Sequence, residues 1–397
     1  MAFSCVQSAT ESNNLQHMIE TQSSPLHDHL ALALVPELGP RRTAMLLAHF
    51  GSPAAVRRAT VSQLQEVPGI GSVLAERFVR ALPQIDLKSE LQLLDKHGVS
   101  LIPLGSPNYP VTLARIDDPP PLLYFRGSLA DTDRRAVAIV GSRHCTGYGK
   151  RVAERLAGGL ARAGITVISG LARGIDGAAH RGALDAGGRT IAVLAGGLSR
   201  IYPPEHADLA GAIERNGCLL TETPMTVQPQ PGMFPARNRI ITGLSQAVVI
   251  VEAGERSGAL ISAQHAAEQG REVFAVPGQV DSPASNGTLQ LLREGARLIR
   301  SVDDILEDLA GIAPVAADLF TTPRPTESTT TVAPAAPAPQ LDETQRRIWD
   351  VLGEGPVAVD QIGDRTGIDA AALNVQLMLL EMKKIVRRLP GNVYERR

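Results

Sequence analysis

Between residues 136 and 277, short apolar runs alternate with helix-length stretches, and small residues, glycine above all, stand where the runs end. The runs are 136–140, 166–168, 191–195, 219–221, 247–251 and 272–276; stretches such as 148–163 and 261–269 separate them with helical patterning. Strands covered on both faces of a parallel sheet read as continuous apolar runs, and parallel neighbours need a crossover helix between them. The alternation predicts an α/β domain built on a doubly wound sheet. Ligands of such sheets bind beyond the strand C-termini, so the residues at those points are the first functional candidates.

Four such points carry suitable chemistry. Gly141-Ser142-Arg143 follows the first run, and a helix begins within a few residues, so backbone N–H groups can meet an anion there. The spacing of Gly141, Gly147 and Gly149 is not that of a dinucleotide fingerprint. Ser169-Gly170 ends the second run, with Arg173, Asp176 and His180 behind it. Asp176 and His180 stand four apart and can share a helix face. No nucleophile with a supporting motif completes a catalytic set, so the plainer expectation is that Asp176 caps a helix or holds Arg173 and His180 is structural. Phe234, Arg237, Asn238 and Arg239 combine an aromatic face for a base with planar cations for phosphates. One of the two arginines is expected instead to tie the sheet end together through Glu222 or Glu252. Ser257-Gly258 precedes a helix and offers a second N-terminal anion site or an ordinary helix start.

The rest of the chain reads as flanking units. Residues 1–24 are polar and predict a disordered leader without a signal peptide, since they hold no Lys or Arg and no long apolar run. Residues 25–83 read as short helices, with turns at Pro36-Glu37-Leu38-Gly39 and Val67-Pro68-Gly69-Ile70-Gly71. The second resembles a helix-hairpin-helix turn, whose N–H groups near Gly69 and Gly71 can grip a DNA phosphate; packing on the core is the competing role. Residues 84–312 are assigned to the sheet domain and 313–340, rich in Pro, Ala and Thr, to a linker. Residues 341–397 predict three helices (342–353, 357–366 and 370–384) and a hairpin, a winged helix. Its third helix offers mainly Asn374, Gln376, Lys383 and Lys384 among Ala, Leu and Met, a poor set for reading bases. Duplex binding and protein docking stay open for it.

Composition narrows the partners. The 397 residues carry a net charge of −2, so any basic surface is local. Cys5, Cys145 and Cys218 stand far apart, without zinc spacing or a disulfide framework, which suits a reducing cytoplasm. No run is long and apolar enough to predict a membrane span.

Gly141-Ser142-Arg143, the run from Ser169 to Asp176, Ala179-His180, Tyr202-Pro203, the segment from Phe234 to Ile241 and the segment from Glu268 to Gly278 together resemble the DNA-processing protein A family (DprA, also called Smf), in order over residues 100–300. The resemblance implies an extended Rossmann fold that binds single-stranded DNA without marked sequence preference. It implies a homodimer formed through that domain, and loading of the RecA recombinase onto incoming strands against a competing single-strand-binding protein in natural transformation. It implies no catalytic residue, cofactor or metal. The strand site would fall on Gly141, Ser142, Arg143, Ser169, Gly170, Arg173 and the segment 234–239. Three positions depart from the family: Ala195-Gly196-Gly197 where Gly-Cys-Gly is frequent, His206 where an asparagine is usual, and Leu289 after Gly287-Thr288 in place of asparagine. The last puts any polar contact from position 289 in question, and none touches the arginines.

Two other readings stay open from the residues. A nucleotide sensor or nucleoside monophosphate hydrolase would use Glu252 and the Ser257-Gly258 turn, although the Pro-Gly-Gly-x-Gly-Thr pattern of such hydrolases is missing. A transcriptional regulator would act through the winged helix.

Overall fold

The computed structural model describes residues 25–310 and 342–396, apart from 355–356, 383–384 and 390–392. The expected leader and linker lie outside the described residues, as do Lys383, Lys384 and the turn at Pro390. The chain divides into two compact units at Val315 and Ala316.

The first unit holds a nine-stranded sheet. Its strands are β1 (Ser100–Pro103), β2 (Leu122–Gly127), β3 (Ala136–Val140), β4 (Thr166–Ser169), β5 (Thr190–Val193), β6 (Gly217–Thr221), β7 (Ala247–Ile250), β8 (Glu272–Ala275) and β9 (Arg297–Leu298), in the spatial order β1-β2-β6-β5-β4-β3-β7-β8-β9. From β6 to β9 every neighbouring pair is parallel; β2 runs antiparallel to β6, and β1 to β2. The chain steps from β3 out to β6, then returns to lay β7 on the other side of β3. That reversal is the switch point at which a doubly wound sheet opens a crevice.

Alternate residues of each strand point to opposite faces, and β3 shows the result. Val137 and Ile139 share a core with Leu156 and Leu160 of helix Gly147–Arg162. Ala138 and Val140 share the opposite one with Ile240 and Ile241 of helix Met233–Gly243. The six expected runs are β3 to β8 with ends shifted by one or two residues. The sheet is wider than the pattern indicates: β1 and β2 lie in what reads as a connector, and β9 is two residues long.

Helices Pro25–Ala33, Pro40–Phe50, Pro53–Arg58, Val61–Gln65 and Ser72–Ala81 close around Leu32, Leu46, Val56, Leu64 and Phe78. Leu30, on the first of these, belongs instead to a core with Leu94, Leu122 and Tyr124, which ties the helical region to β2. The two turns form a repeat. Val35 and Val67 are buried, as are Leu38 and Ile70, and Gly39 and Gly71 are N-cap residues without a side-chain cap. The left-handed position between them is Glu37 in one turn and Gly69 in the other.

The second unit packs helices Glu343–Val351, Val359–Thr366 and Ala370–Met382 against a sheet of β10 (Val357–Ala358), β11 (Val386–Leu389) and β12 (Val393–Arg396), ordered β10-β12-β11. Ile348, Ile362, Leu377, Val386 and Tyr394 form its core. This is the expected winged helix, with the added strand β10 pairing antiparallel to β12. Among the described residues no helix is long and apolar enough to cross a membrane.

Candidate nucleic-acid interface

The C-terminal ends of β3, β4 and β5 open into a cleft lined by Arg143, Gly170, Arg173, Tyr202 and Phe234, with Leu194 to Gly196 at its edge. Phe234 stands in the first turn of helix Met233–Gly243, and its ring faces the cleft. The Arg143 guanidinium lies over that ring, 4.4 Å from its centroid, and the Tyr202 ring lies 6.2 Å away at 52°. A cation held over an aromatic face, beside a second tilted ring, is an arrangement on which a flat base can stack while the cation meets a phosphate. Arg143 and Arg173 are both exposed. Arg173 is joined to Glu205 in a solvent-exposed pair, a contact that water screens.

Beneath this surface lies a buried charge system. Arg237, three residues after Phe234, is only 5% exposed and donates from Nη1 to the Val193 carbonyl at 2.6 Å. Asp176, also buried, accepts from the Gly170 and Ala172 N–H groups at 3.1 and 3.4 Å. Burial pushes the Asp176 carboxyl up, opposed by Arg237 and these two N–H groups. Burial lowers Arg237 to about 10 against the pull of Asp176, and nearby Arg143 adds to the lowering. Gly170 has no room for a side chain, because the Arg237 guanidinium occupies the space a Cβ would take. Arg239 is buried too. It pairs with Glu222, reaches Asp118 Oδ2 at 3.2 Å and donates to the Asp118 carbonyl at 2.6 Å.

Both Arg237 and Arg239, placed in the strand segment 234–239 by the resemblance, are buried, and one of them is the sheet-end tie expected from the residues. Arg239 is the structural arginine, tied to Glu222, and Arg237 supports the cleft from below. Asp176 is bound by the Gly170 and Ala172 N–H groups and not by Arg173, which pairs with Glu205. His180 is fully buried, with Nδ1 2.7 Å from Thr190 Oγ1, and pairs with no carboxylate.

Of the two helix starts, the one after β3 is filled by an internal carboxylate and the one at Ser257-Gly258 is an ordinary capped start. The Glu252 carboxylate accepts from the Thr146 N–H at 2.8 Å and from its hydroxyl, at the N-terminus of helix Gly147–Arg162. Gly149 has no Cβ because that carboxylate lies against it. Ser142 donates its N–H to the Glu252 carbonyl at 2.7 Å, and its Oγ accepts from His144 N–H at 3.1 Å. Gly141 is closed in by Ile175 and the same carbonyl. Ser169 is buried, donating to the Ile139 carbonyl at 2.6 Å. Ser257 caps its own helix, accepting from Ala259 N–H at 3.3 Å, while Asn238 Nδ2 donates to the carbonyl of exposed Gly258 at 3.2 Å. Glu252, weighed as a hydrolytic residue, is 4% exposed and held on Thr146.

Gly69 and Gly71 are exposed on their turn and line neither the cleft nor the groove beside it; the first turn, at Gly39, lines that groove. On the winged helix, the third helix exposes Val375, Met378 and Leu379 (57%, 63% and 39%), apolar side chains where a base reader needs polar ones. The sequence signal missed most directly is Tyr202, which stands in a quoted motif without being counted in the site. Leu194 to Gly196 were equally legible as the end of a strand run.

Comparison with known proteins agrees with this organisation. Residues 100–310 match the family model described as DNA recombination-mediator protein A, residues 332–392 the DprA winged helix domain and residues 30–97 the SAM-like helix-hairpin-helix tandem. Protein Smf of Synechocystis sp. is 34% identical over 392 residues, covering 93% of this chain and 98% of that protein. DNA processing protein DprA of Bacillus subtilis is 43% identical over 235 residues, 59% of this chain and 77% of that one. The X-ray structure of DNA processing protein A from Streptococcus pneumoniae superposes with a TM-score of 0.64 at 33% identity, covering 72% of this chain and 99% of that one.

Proposed function

The chain belongs to the DNA recombination-mediator protein A family, and from that premise we propose that it binds single-stranded DNA without marked sequence preference and loads the RecA recombinase onto it, displacing a single-strand-binding protein, in natural transformation or recombination. The observation that carries the DNA-binding part is the stack of Arg143 over Phe234 at the mouth of an exposed cleft, with Arg173 beside it. Every base has a face to stack and every nucleotide a phosphate, so this pairing recognises a strand rather than a sequence. Arg143, Arg173, Tyr202 and Phe234 are the contact residues. Gly141, Ser142, Ser169, Gly170 and Arg237 shape the floor, and Arg239, Asn238, Ser257 and Gly258 hold the neighbouring helices.

The protein acts as a strand carrier and not as an enzyme. Its buried acid Glu252 and buried imidazole His180 each hold a neighbouring side chain, which leaves neither poised for proton transfer to a nucleotide. Two copies pair through the Rossmann domain in the cytoplasm. The short β9 edge, with Leu298 51% exposed, is open for such pairing.

Binding of the full chain to a fluorescent oligothymidylate, compared with a duplex of equal length across a salt series, tests the reading. The expected result is tighter binding of the single strand, with log affinity falling linearly in log salt. Arg143→Ala and Phe234→Ala should each lose about 1–3 kcal/mol. Equal affinity for the duplex, or no loss in either variant, sinks the proposal.

A further inference from the structure

A second concavity, of about 860 Å³, adjoins the cleft and lies between the first helical turn and the ends of β5 and β6. Leu194 and Ala195 line both, so the two are continuous. On the far wall stand Gly39, Pro40, Arg41 and Arg42, the start of the 11-residue helix Pro40–Phe50, whose cap residue supplies no side-chain acceptor. On the near wall stands Arg237, 5% exposed, whose Nε has no hydrogen-bond partner.

Three carboxylates also line this groove, held by two arginines. Glu37 binds Arg77 at 2.8 Å, while Asp118 and Glu222 share Arg239. Arg42 donates to the Glu37 carbonyl at 2.9 Å. Arg41 is exposed, and its side chain takes part in no hydrogen bond or ion pair among the described residues. With each acid held in an ion pair, Arg239 serving two of them, the groove presents to a ligand the unpaired Arg41 guanidinium and a free helix N-terminus, with the buried Arg237 guanidinium in the wall opposite. All three favour an anion.

We infer that this groove is the continuation of the strand path: a single-stranded nucleic acid seated on Phe234 passes over Leu194 and Ala195, and a phosphate further along the same strand is held at the Arg41 end of helix Pro40–Phe50. This rests on the strand-binding reading above and assigns the helical domain a direct hold on the strand through its first turn, not through Gly69 and Gly71. The consequence is a length-dependent site. A short strand fills only the stacking cleft, and a longer one spans both.

Binding of the full chain to oligothymidylates of about 4 and about 16 nucleotides separates the two levels. Arg143→Ala should weaken both lengths. Arg41→Ala, which removes no side-chain bond among the described residues, should leave the short strand unchanged and weaken the long one about tenfold, with a salt slope for the long strand shallower by about 0.7. Unchanged long-strand affinity in Arg41→Ala, with the wild type still binding, overturns the path and leaves the cleft standing. Equal loss at both lengths overturns it as well, because Arg41 would then act on the cleft itself. No wild-type binding at either length overturns the strand reading and the path with it.

Discussion

The guanidinium of Arg237 occupies the volume in which a side chain on Gly170 would begin, so the loop after β4 rests directly on a buried cation. The Gly170 N–H in turn donates to Asp176, the carboxylate that faces Arg237. One glycine thus lets the backbone close over two buried opposite charges beneath the cleft floor.

Gly170→Ala must therefore push the guanidinium off the Val193 carbonyl or lift the loop. Overpacking of a close-packed interior costs about 1–3 kcal/mol, and we expect a loss of that size in the urea midpoint together with weaker strand binding. A midpoint equal to the wild type would mean that Arg237 has another place to go.

Arg239 and Arg237 are two residues apart and differ in what removal should do. Arg239→Ala strands Glu222 without its cation at a site from which water is largely excluded. Breaking a buried pair on one side costs about 3–5 kcal/mol, so denaturant unfolding should shift strongly. The affinity of the folded protein for a short strand, which fills only the stacking cleft, should stay near the wild-type value, because Arg239 faces Glu222 and Asp118 rather than the cleft. A large affinity loss at full stability would place Arg239 in the strand site after all.

His180 sets an acid limit on stability. Burial lowers its pKa to about 3, with His206, Arg237 and Arg181 adding to the shift. The unfolded imidazole takes up its proton near pH 6.5, so between these values the unfolded state binds the extra proton. Its contribution is complete above pH 6.5 and declines as pH falls toward 3, by up to about 1.4 kcal/mol per pH unit. Urea midpoints of the wild type and His180→Asn, taken from pH 7 downward, should differ in slope below 6.5. Parallel lines would show that His180 does not carry this dependence.

How much was legible follows from what each signal measures. A fully buried parallel strand has no polar face to interrupt it, so β3 to β8 are visible as apolar runs. The strand β2 is apolar as well, at Leu122, Leu123 and Tyr124, yet it follows three prolines and pairs antiparallel with a strand almost a hundred residues later; nothing local distinguishes it from a connector. At the site, the residue types at strand ends were readable, but their direction was not. Phe234 and Arg237 lie three apart on one helix and so on one side of it, and only the packing of that helix decides that the ring meets the cleft while the guanidinium lies below. The Glu252 link to Thr146 spans 106 residues and has no local trace at either position.

That link bears on selectivity. A glycine-bordered helix start at a switch point is where a mononucleotide's phosphate would lodge in a sheet of this type. Here the chain supplies its own anion, at an effective concentration that dissolved nucleotides cannot match. A tethered carboxylate is a permanent competitive inhibitor of the site it fills. Under the proposed function, this helix start is closed to a single phosphate, and the ligand left to the cleft is a polymer that stacks on Phe234 and meets Arg143 in the same event.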